Sequence, residues 1–190
     1  MISIIIPTYQ SEKYISETIK HIQKYMEGED HEIIVVDDGS TDNTRTILEA
    51  FDVKLNPKRD NKGKGFSVRE GVKMSSSSWI LFIDDDLDID IENLDEFLKY
   101  KDNDIIIPYK QKDTRTLKRK LCSKLFILIV KILFNIKVKN TQVGFKLFNR
   151  KVADEIFPKL IINGFAFDVE LLYLCQINNL NIKELPVEVK

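Results

Sequence analysis

The chain has 190 residues, and at 43% hydrophobic and 31% charged it carries enough apolar material to bury the core of one domain, with at most a small appendage. A formal net charge of −1 gives no footprint of nucleic-acid binding, and two cysteines, Cys122 and Cys175, are too few for a disulfide framework. That paucity fits a reducing compartment, and the start, MISIIIPTYQ, lacks the basic region and the length of a signal peptide.

In chain order, residues 2–6 (ISIII) read as a short buried strand that Pro7 ends. Ile15, Ile19, Ile22 and Met26 then recur on one helical face, with Ser11 as the N-cap. Residues 32–36 (EIIVV) form a second buried strand running into DDGSTDNT, where Gly39 takes a tight turn and Ser40 or Thr41 caps a helix carrying Ile47, Leu48 and Phe51. A weak strand at 53–55 precedes NKGKG (61–65), which opens a helix through Val68 and Val72. Ser75–Ser78 turn into a strand at 79–83, residues 92–100 make an amphipathic helix, and 104–107 make a strand that Pro108 stops. Farther on come a strand at 143–148, a short helix at 150–157 ended by Pro158, a buried helix at 166–178 and a last strand at 182–189. Strands alternating with helices predict an α/β fold with a mostly parallel central sheet, without internal repeats or a disordered linker.

The stretch WILFIDDDLDID (79–90) stands out. An unbroken apolar run, as in a strand buried on both faces, stops abruptly on Asp84, Asp85 and Asp86, followed by Asp88 and Asp90. Neighbouring carboxylates repel by about 1 kcal/mol per pair in water and roughly 4 kcal/mol when partly buried. Such a run is either a solvated turn before a helix or a place for a cation. A helix–loop–helix calcium site is excluded, because counting from Asp84 its required Gly and Glu positions hold Ile89 and Asp95, and from Asp86 they hold Ile91 and Phe97. A hard dication, magnesium or manganese, shared between a few carboxylates and substrate phosphates fits better. In open parallel sheets, ligands bind outside the carboxyl ends of the strands, which is where these acids fall.

The near-neutral total hides two poles. Acids crowd residues 84–104 against Lys99 and Lys101, whereas 110–124 hold Lys110, Lys112, Arg115, Lys118, Arg119, Lys120 and Lys124 against Asp113. That asymmetry suggests a metal site beside an anion site. The following LKRKLCSKLFILIVKILF (117–134) is largely apolar, but its run from Leu121 to Phe134 spans only about 21 Å as a helix, short of the roughly 30 Å hydrocarbon core. It is either a core helix or one lying in a membrane interface. Gly63 and Gly65 would allow close backbone approach and leave N–H groups for an anion, beside Lys62, Lys64 and Arg69. The spacing is neither a Walker loop nor a dinucleotide fingerprint, and alone it is more often a turn. His21 and His31 read as surface residues, and Tyr9 as a turn aromatic or part of the site.

IIPTYQ, IIVVDDGSTDNT, NKGKGFSVREG, ILFIDDDLD, TQVGFKLFNR and GFAFDVELL with ELPVEV occur in the order that resembles family 2 glycosyltransferases over nearly the whole chain. The last blocks look like the branch making dolichyl- or polyprenyl-phosphate sugars, and NKGKGFSVREG is closer to its glucosyl than its mannosyl pattern. The resemblance implies a GT-A fold and inverting, metal-dependent transfer of a sugar from a nucleotide sugar, UDP- or GDP-linked, to a polyprenyl phosphate. Pro7, Tyr9 and Asp38 would line the nucleoside pocket, Asp37 would belong to the substrate-binding set, and Lys64 and Arg69 would lie near the nucleotide. Asp84 and Asp86 match the family's D-x-D and Asp88 a further metal-side position, so the implied ligands of a Mg or Mn cation are Asp84, Asp86 and Asp88. Arg119 and Ser123, with Lys110 in the same basic cluster, would receive the acceptor phosphate. Gln142, Asp168 and Glu170 match positions facing sugar and acceptor, with Asp86, Arg119, Asp168 and Glu170 as the catalytic set. Asp168 is otherwise a helix cap.

Gln10-Ser11, Asn140 and Val143 depart from the family pattern. The alternatives are a related transferase acting on a glycan hydroxyl, with Asp168 or Glu170 as base, and a nucleotide-sugar-binding module without turnover. On the lipid-phosphate reading, 1–190 is a single glycosyltransferase domain, with 1–108 binding the nucleotide sugar and 109–190 the acceptor. The helix at 117–134 then lies in the membrane interface. The expected location is cytoplasmic, peripheral at the cytoplasmic face of the membrane, directly or through a membrane partner protein.

Overall fold

Isoleucine- and valine-rich runs too short to be core helices become strands, and the helices between them follow the 3.6-residue spacing of their apolar positions. The computed structural model describes residues 1–110, 130–131, 134–138 and 143–189. Its strands are β1 (Ile2–Thr8), β2 (His31–Asp37), β3 (Lys54–Pro57), β4 (Trp79–Ile83), β5 (Ile105–Lys110), β6 (Phe145–Asn149) and β7 (Ile182–Val187). The helices are α1 (Ile15–Tyr25), α2 (Thr44–Leu48), α3 (Lys64–Met74), α4 (Asn93–Leu98), α5 (Arg150–Glu155) and α6 (Phe167–Ile177), with a 3-10 turn at Phe157–Lys159. No helix among the described residues is long and apolar enough to cross a membrane. Most of the basic cluster and most of the 117–134 segment, with Arg119, Ser123, Asn140 and Gln142, lie outside the described residues.

The strands join one seven-stranded sheet in the order β3-β2-β1-β4-β6-β5-β7. β1 pairs in parallel with β2 and β4, β2 with β3, and β5 with β7. Among the described strands only β6 runs the other way, antiparallel to both β4 and β5. Alternate residues of the central strands feed two cores. Ile5, Ile34, Val36, Ile80, Phe82 and Phe148 pack with α3, α5 and α6. Ile4, Ile6, Ile33, Val35, Leu81, Ile83 and Leu147 pack with α1, α2 and α4. Burial on both faces explains why the strands read as unbroken apolar runs.

Neither proline ends its strand. β1 continues through Pro7, which pairs with Val36. The Thr8 carbonyl accepts from Asp38 N at 2.9 Å, so the alternation of a strand turns the Pro7 nitrogen toward β4, where pairing has already ceased at Ile5–Phe82. Pro108 likewise lies past the last β5–β6 pair, Ile106–Leu147. The expected caps also differ. α1 starts after Tyr14, while Ser11 spends its hydroxyl on Asp85. α2 starts after Asn43, with Asp42 accepting from Thr44 N at 3.1 Å. Ser40 and Thr41 instead accept from Gln10 N and Gln10 Nε2 and hold that residue in its left-handed conformation (φ 57°).

Candidate active site

β1, β2 and β3 step one way across the sheet and β4 returns to the other side of β1, so the topological switch falls between the carboxyl ends of β1 and β4. A cavity of about 470 Å³ opens there, of the size that takes small ligands. Pro7, Thr8 and Tyr9 at the end of β1, Asp38 after β2, Asn61, Gly63 and Lys64 before and in α3, and Asp84 to Asp86 after β4 all contribute to its wall. Phe165 forms the remaining side.

The three consecutive aspartates separate by side chain. Asp84 pairs with Lys64 Nζ at 2.5 Å. Its backbone N–H donates to the Gly144 carbonyl at 3.0 Å, one step beyond the last β4–β6 pair. A Cβ at residue 144 would fall 1.9 Å from Asp84 Oδ2, so the carboxylate occupies room that only glycine leaves. Asp85 turns inward, where Thr8 Oγ1 (2.8 Å) and Ser11 Oγ both donate to its Oδ2, and Thr18 Oγ1 donates to its carbonyl at 2.7 Å. Burial pushes Asp85 above the usual carboxylate range, and Asp84 and Asp86 add to the rise against the two hydroxyls. Asp86 is exposed at the cavity. Asp88 lies with Asp84, Lys110 and Gly144 in a smaller adjoining cleft, and its carboxyl is raised by partial desolvation and by Asp86.

Asp84, Asp86 and Asp88 do not form a closed cage. Among the described residues, the group whose ligand atoms converge within 4.8 Å is His21, Asp90 and Glu92, on the surface, with His21 Nε2 3.0 Å from Glu92. A hard dication shared with substrate phosphates needs only one or two carboxylates, and Asp84 and Asp86 supply oxygen donors of that kind. The donor set fits such an ion, with Lys64 as its competitor for Asp84.

Other expected residues do different work. The Gly63 N–H, expected to be available to an anion, donates to Asp38 at 2.7 Å, and the Lys62 N–H does so at 3.0 Å, one to each oxygen of the buried carboxylate. Gly63 takes φ 100°, which lets α3 begin at Lys64. Asp37, also buried, accepts from Ser40 N at 3.1 Å. Arg69 donates to the Ile162 carbonyl at 2.8 Å and to Asn163 Oδ1. Glu170 accepts from Ile161 N and Ile162 N. Asp168 lies in the first turn of α6 and caps nothing. It is 3% exposed and pairs with Lys146 Nζ at 2.6 Å. Burial raises the Asp168 carboxyl, against the pull of Lys146.

Lys146, Ser67 and Phe165 escaped the sequence reading, as did the inward role of Asp85. Lys146, 1% exposed, also donates to the Val143 carbonyl at 2.7 Å. Ser67 lines the cavity from α3, and its buried hydroxyl has no partner among the described residues. The clue to Lys146 was a cation in the middle of the apolar strand VGFKLF. Ser67 lies one turn into the helix opened by NKGKG, on the side of Lys64. Nothing local marks Phe165 or the inward turn of Asp85.

These features define the class: an open, doubly wound α/β domain with an acid-rich ligand cleft at its switch point. The chain belongs to the family whose model, Glycosyl transferase family 2, matches residues 3–157. It is 30% identical over 217 residues to a dolichyl-phosphate beta-glucosyltransferase of Dictyostelium discoideum, covering 98% of this chain and 65% of that protein. The human protein of that name is 30% identical over 214 residues, covering 98% of this chain and 66% of its own length. The Saccharomyces cerevisiae protein is 32% identical over 221 residues, covering 98% and 66%. The chain thus spans about two thirds of the length of these relatives.

Among solved structures, it resembles glucosyl-3-phosphoglycerate synthase from Mycobacterium tuberculosis in complex with phosphoglyceric acid (TM-score 0.76, 20% identity, 100% of this chain and 70% of that one). The complex of that enzyme with Mn2+, UDP and glucosyl-3-phosphoglycerate gives a TM-score of 0.75 at 19% identity, covering 100% and 70%. At such identity the likeness is one of fold, and it bears out the expected mostly parallel, GT-A type sheet.

Proposed function

We propose that this chain transfers a glucosyl group from UDP-glucose to a polyprenyl or dolichyl phosphate with inversion. The observation that carries the reading is the convergence of Asp84, Asp86 and Lys64 on one cavity at the sheet's switch point. Relatives named dolichyl-phosphate beta-glucosyltransferase, aligned over nearly all of this chain, support the acceptor, and the UDP and Mn2+ complexes of the fold neighbour support the donor and the cation. Asp84 and Asp86 would hold the cation, which when bound neutralises charge on the leaving diphosphate.

Lys64 adds a fixed positive charge on the same wall, Ser67 Oγ offers a hydroxyl to the donor, and Tyr9 and Asn61 border the nucleoside side. The acceptor is a phosphate monoester with its second pKa near 6, so it is already anionic at neutral pH. Its oxygen bonds to the anomeric carbon as that carbon's bond to the diphosphate breaks, UDP leaves, and no acceptor proton has to be removed. Cations that position the phosphate therefore matter more than a strong base, and Lys110 and Arg119 are our candidates, with Ser123 contributing a hydroxyl and Gln142 assigned to the sugar. The buried ion pair of Asp168 argues against a base in that position for a hydroxyl acceptor. We place the reaction at the cytoplasmic face of a membrane.

The test is incubation with labelled UDP-glucose or GDP-mannose, manganese or magnesium, and a short polyprenyl phosphate. Lipid-linked glucose from UDP-glucose is the expected product, and Arg119→Ala should cut its formation by about a hundredfold while leaving UDP binding intact. Nucleotide-sugar binding without transfer to any acceptor would refute the proposal.

A further inference from the structure

The connection between the 3-10 turn and α6 (residues 160–166) combines a tightly fixed backbone with apolar side chains in water. Glu170 Oε2 accepts from both Ile161 N (3.2 Å) and Ile162 N (2.9 Å), and its Oε1 accepts from Ile161 N at 3.0 Å. Arg69 holds the Ile162 carbonyl at 2.8 Å and the Asn163 side chain from the other side. Phe66 N donates to the Asn163 carbonyl at 3.1 Å. A Cβ at residue 63 would come within 2.6 Å of that same carbonyl, so α3 and the loop are in backbone contact.

Yet Ile161 is 80% exposed, Phe165 70% and Ile162 37%. Surface loops seldom fix bulky apolar groups outward, and a contiguous exposed apolar patch marks a binding surface. Phe165 belongs to the wall of the proposed active site, with Lys64 Nζ 5.7 Å from its ring centre. On the adjoining turn of α3, Lys62 and Arg69 lie 5.0 and 5.9 Å from the Phe66 ring. Apolar side chains beside cations, at the mouth of the proposed glucosyl-transfer site, match an amphiphile with an anionic head and a hydrocarbon chain.

We propose that residues 161–165 form an apolar lip that seats the first isoprene units of the lipid phosphate acceptor, with Ile161 and Phe165 as the contacts. The proposal rests on the acceptor reading above. Glu170 and Arg69 are then positioning residues, which fix the lip in its binding shape before the chain arrives and so reduce the ordering cost of association.

Calorimetry of the full chain with UDP and Mn2+ present, comparing farnesyl phosphate with isopentenyl phosphate, tests it. The expected result is binding of both, with farnesyl phosphate at least about tenfold tighter. Ile161→Ser should remove most of that preference with UDP affinity and melting temperature unchanged, because its side chain is exposed. Ile161→Ser/Phe165→Ser should abolish it. Glu170→Ala should weaken the preference, and Glu170→Gln, which keeps an oxygen able to accept from both N–H groups, should restore it.

A wild-type protein that binds neither phosphate refutes the acceptor reading and the lip with it. Binding without a chain-length preference, or a preference that survives in the double variant, refutes the lip alone. A double variant that keeps the preference but no longer floats with phosphatidylcholine–phosphatidylglycerol vesicles would assign the patch to the bilayer surface and overturn the proposal.

Discussion

At the carboxyl end of β4, three identical side chains in a row meet three environments. Asp84 is set against an ammonium group in space vacated by Gly144, Asp85 is folded under two hydroxyls, and Asp86 stands in the cavity. Because Asp85 is raised by burial and by its neighbours, its ionisation near neutral pH works against the folded state. Asp85→Asn keeps an oxygen able to accept from Thr8 and Ser11 and removes that charge. It should leave UDP binding within about threefold and the melting temperature no lower. Asp86→Asn, at the exposed position, should instead weaken manganese-dependent UDP binding by about tenfold or more at unchanged stability, a loss of about 1.4 kcal/mol. Equal losses from the two substitutions, read by calorimetry, would contradict this division of labour. The run DDD was visible in the sequence as a site, but its division was not. The partners of Asp85 come from β1 and α1, some 70 residues away, and no local pattern reports them.

Single strands and helices carry the next level of organisation. β6 is the one reversed strand among those described, and reversal brings the residues just before it, Val143 and Gly144, to the site end of β4. Lys146 anchors that entry by bonding to the Val143 carbonyl and to Asp168 of α6. In sequence VGFKLF looks like a half-exposed strand with its lysine in water. Helices cover both faces of the sheet, however, so the lysine is buried and a carboxylate has to accompany it. Removing one member of such a pair leaves an uncompensated charge, typically at a cost of about 3–5 kcal/mol. Lys146→Met should therefore lower the urea-unfolding free energy by about that amount, and Lys146→Met/Asp168→Leu should recover most of it. A single variant as stable as the parent would mean that the pair contributes nothing to the fold.

The whole sheet separates stability from chemistry by its two ends. At the amino end, opposite the cavity, Glu32 gathers β1, β3 and the turn into β4 through Ser3, Lys54 and Ser76. Burial alone would raise this carboxyl, yet the hydrogen bonds from Lys54, Ser3 and Ser76 outweigh it and hold Glu32 at about 2 against an ordinary 4.5. A depressed carboxyl stabilises the fold above its unfolded value and loses that contribution as the pH falls through its folded one. Glu32→Gln should therefore be about 1–2 kcal/mol less stable at pH 7, a figure reduced for the exposure of Lys54. Its gap to the parent should close between pH 4.5 and 2, and UDP affinity should stay unchanged. A gap independent of pH would exclude Glu32 as its source. The architecture itself was legible, because strands buried on both faces and helices of regular period each follow from local composition. What escaped were long-range pairings such as Lys146 with Asp168 and Arg69 with Asn163, in which the fold rather than the chain makes the neighbours.

The contact between Lys64 and Asp84 bears on the order in which ligands assemble. An ammonium group 2.5 Å from the carboxylate is a rival for any dication that needs the same oxygens, so metal alone must first evict a resident charge. A diphosphate offers that ammonium group somewhere else to go. Each ligand then clears the way for the other, and linkage requires the two gains to be equal. Titrating Mn2+ with and without UDP, and UDP with and without Mn2+, should give matching enhancements of about tenfold, which Lys64→Met should reduce by raising the affinity for the metal alone. A cell's free manganese would then bind to this protein chiefly when nucleotide is at hand.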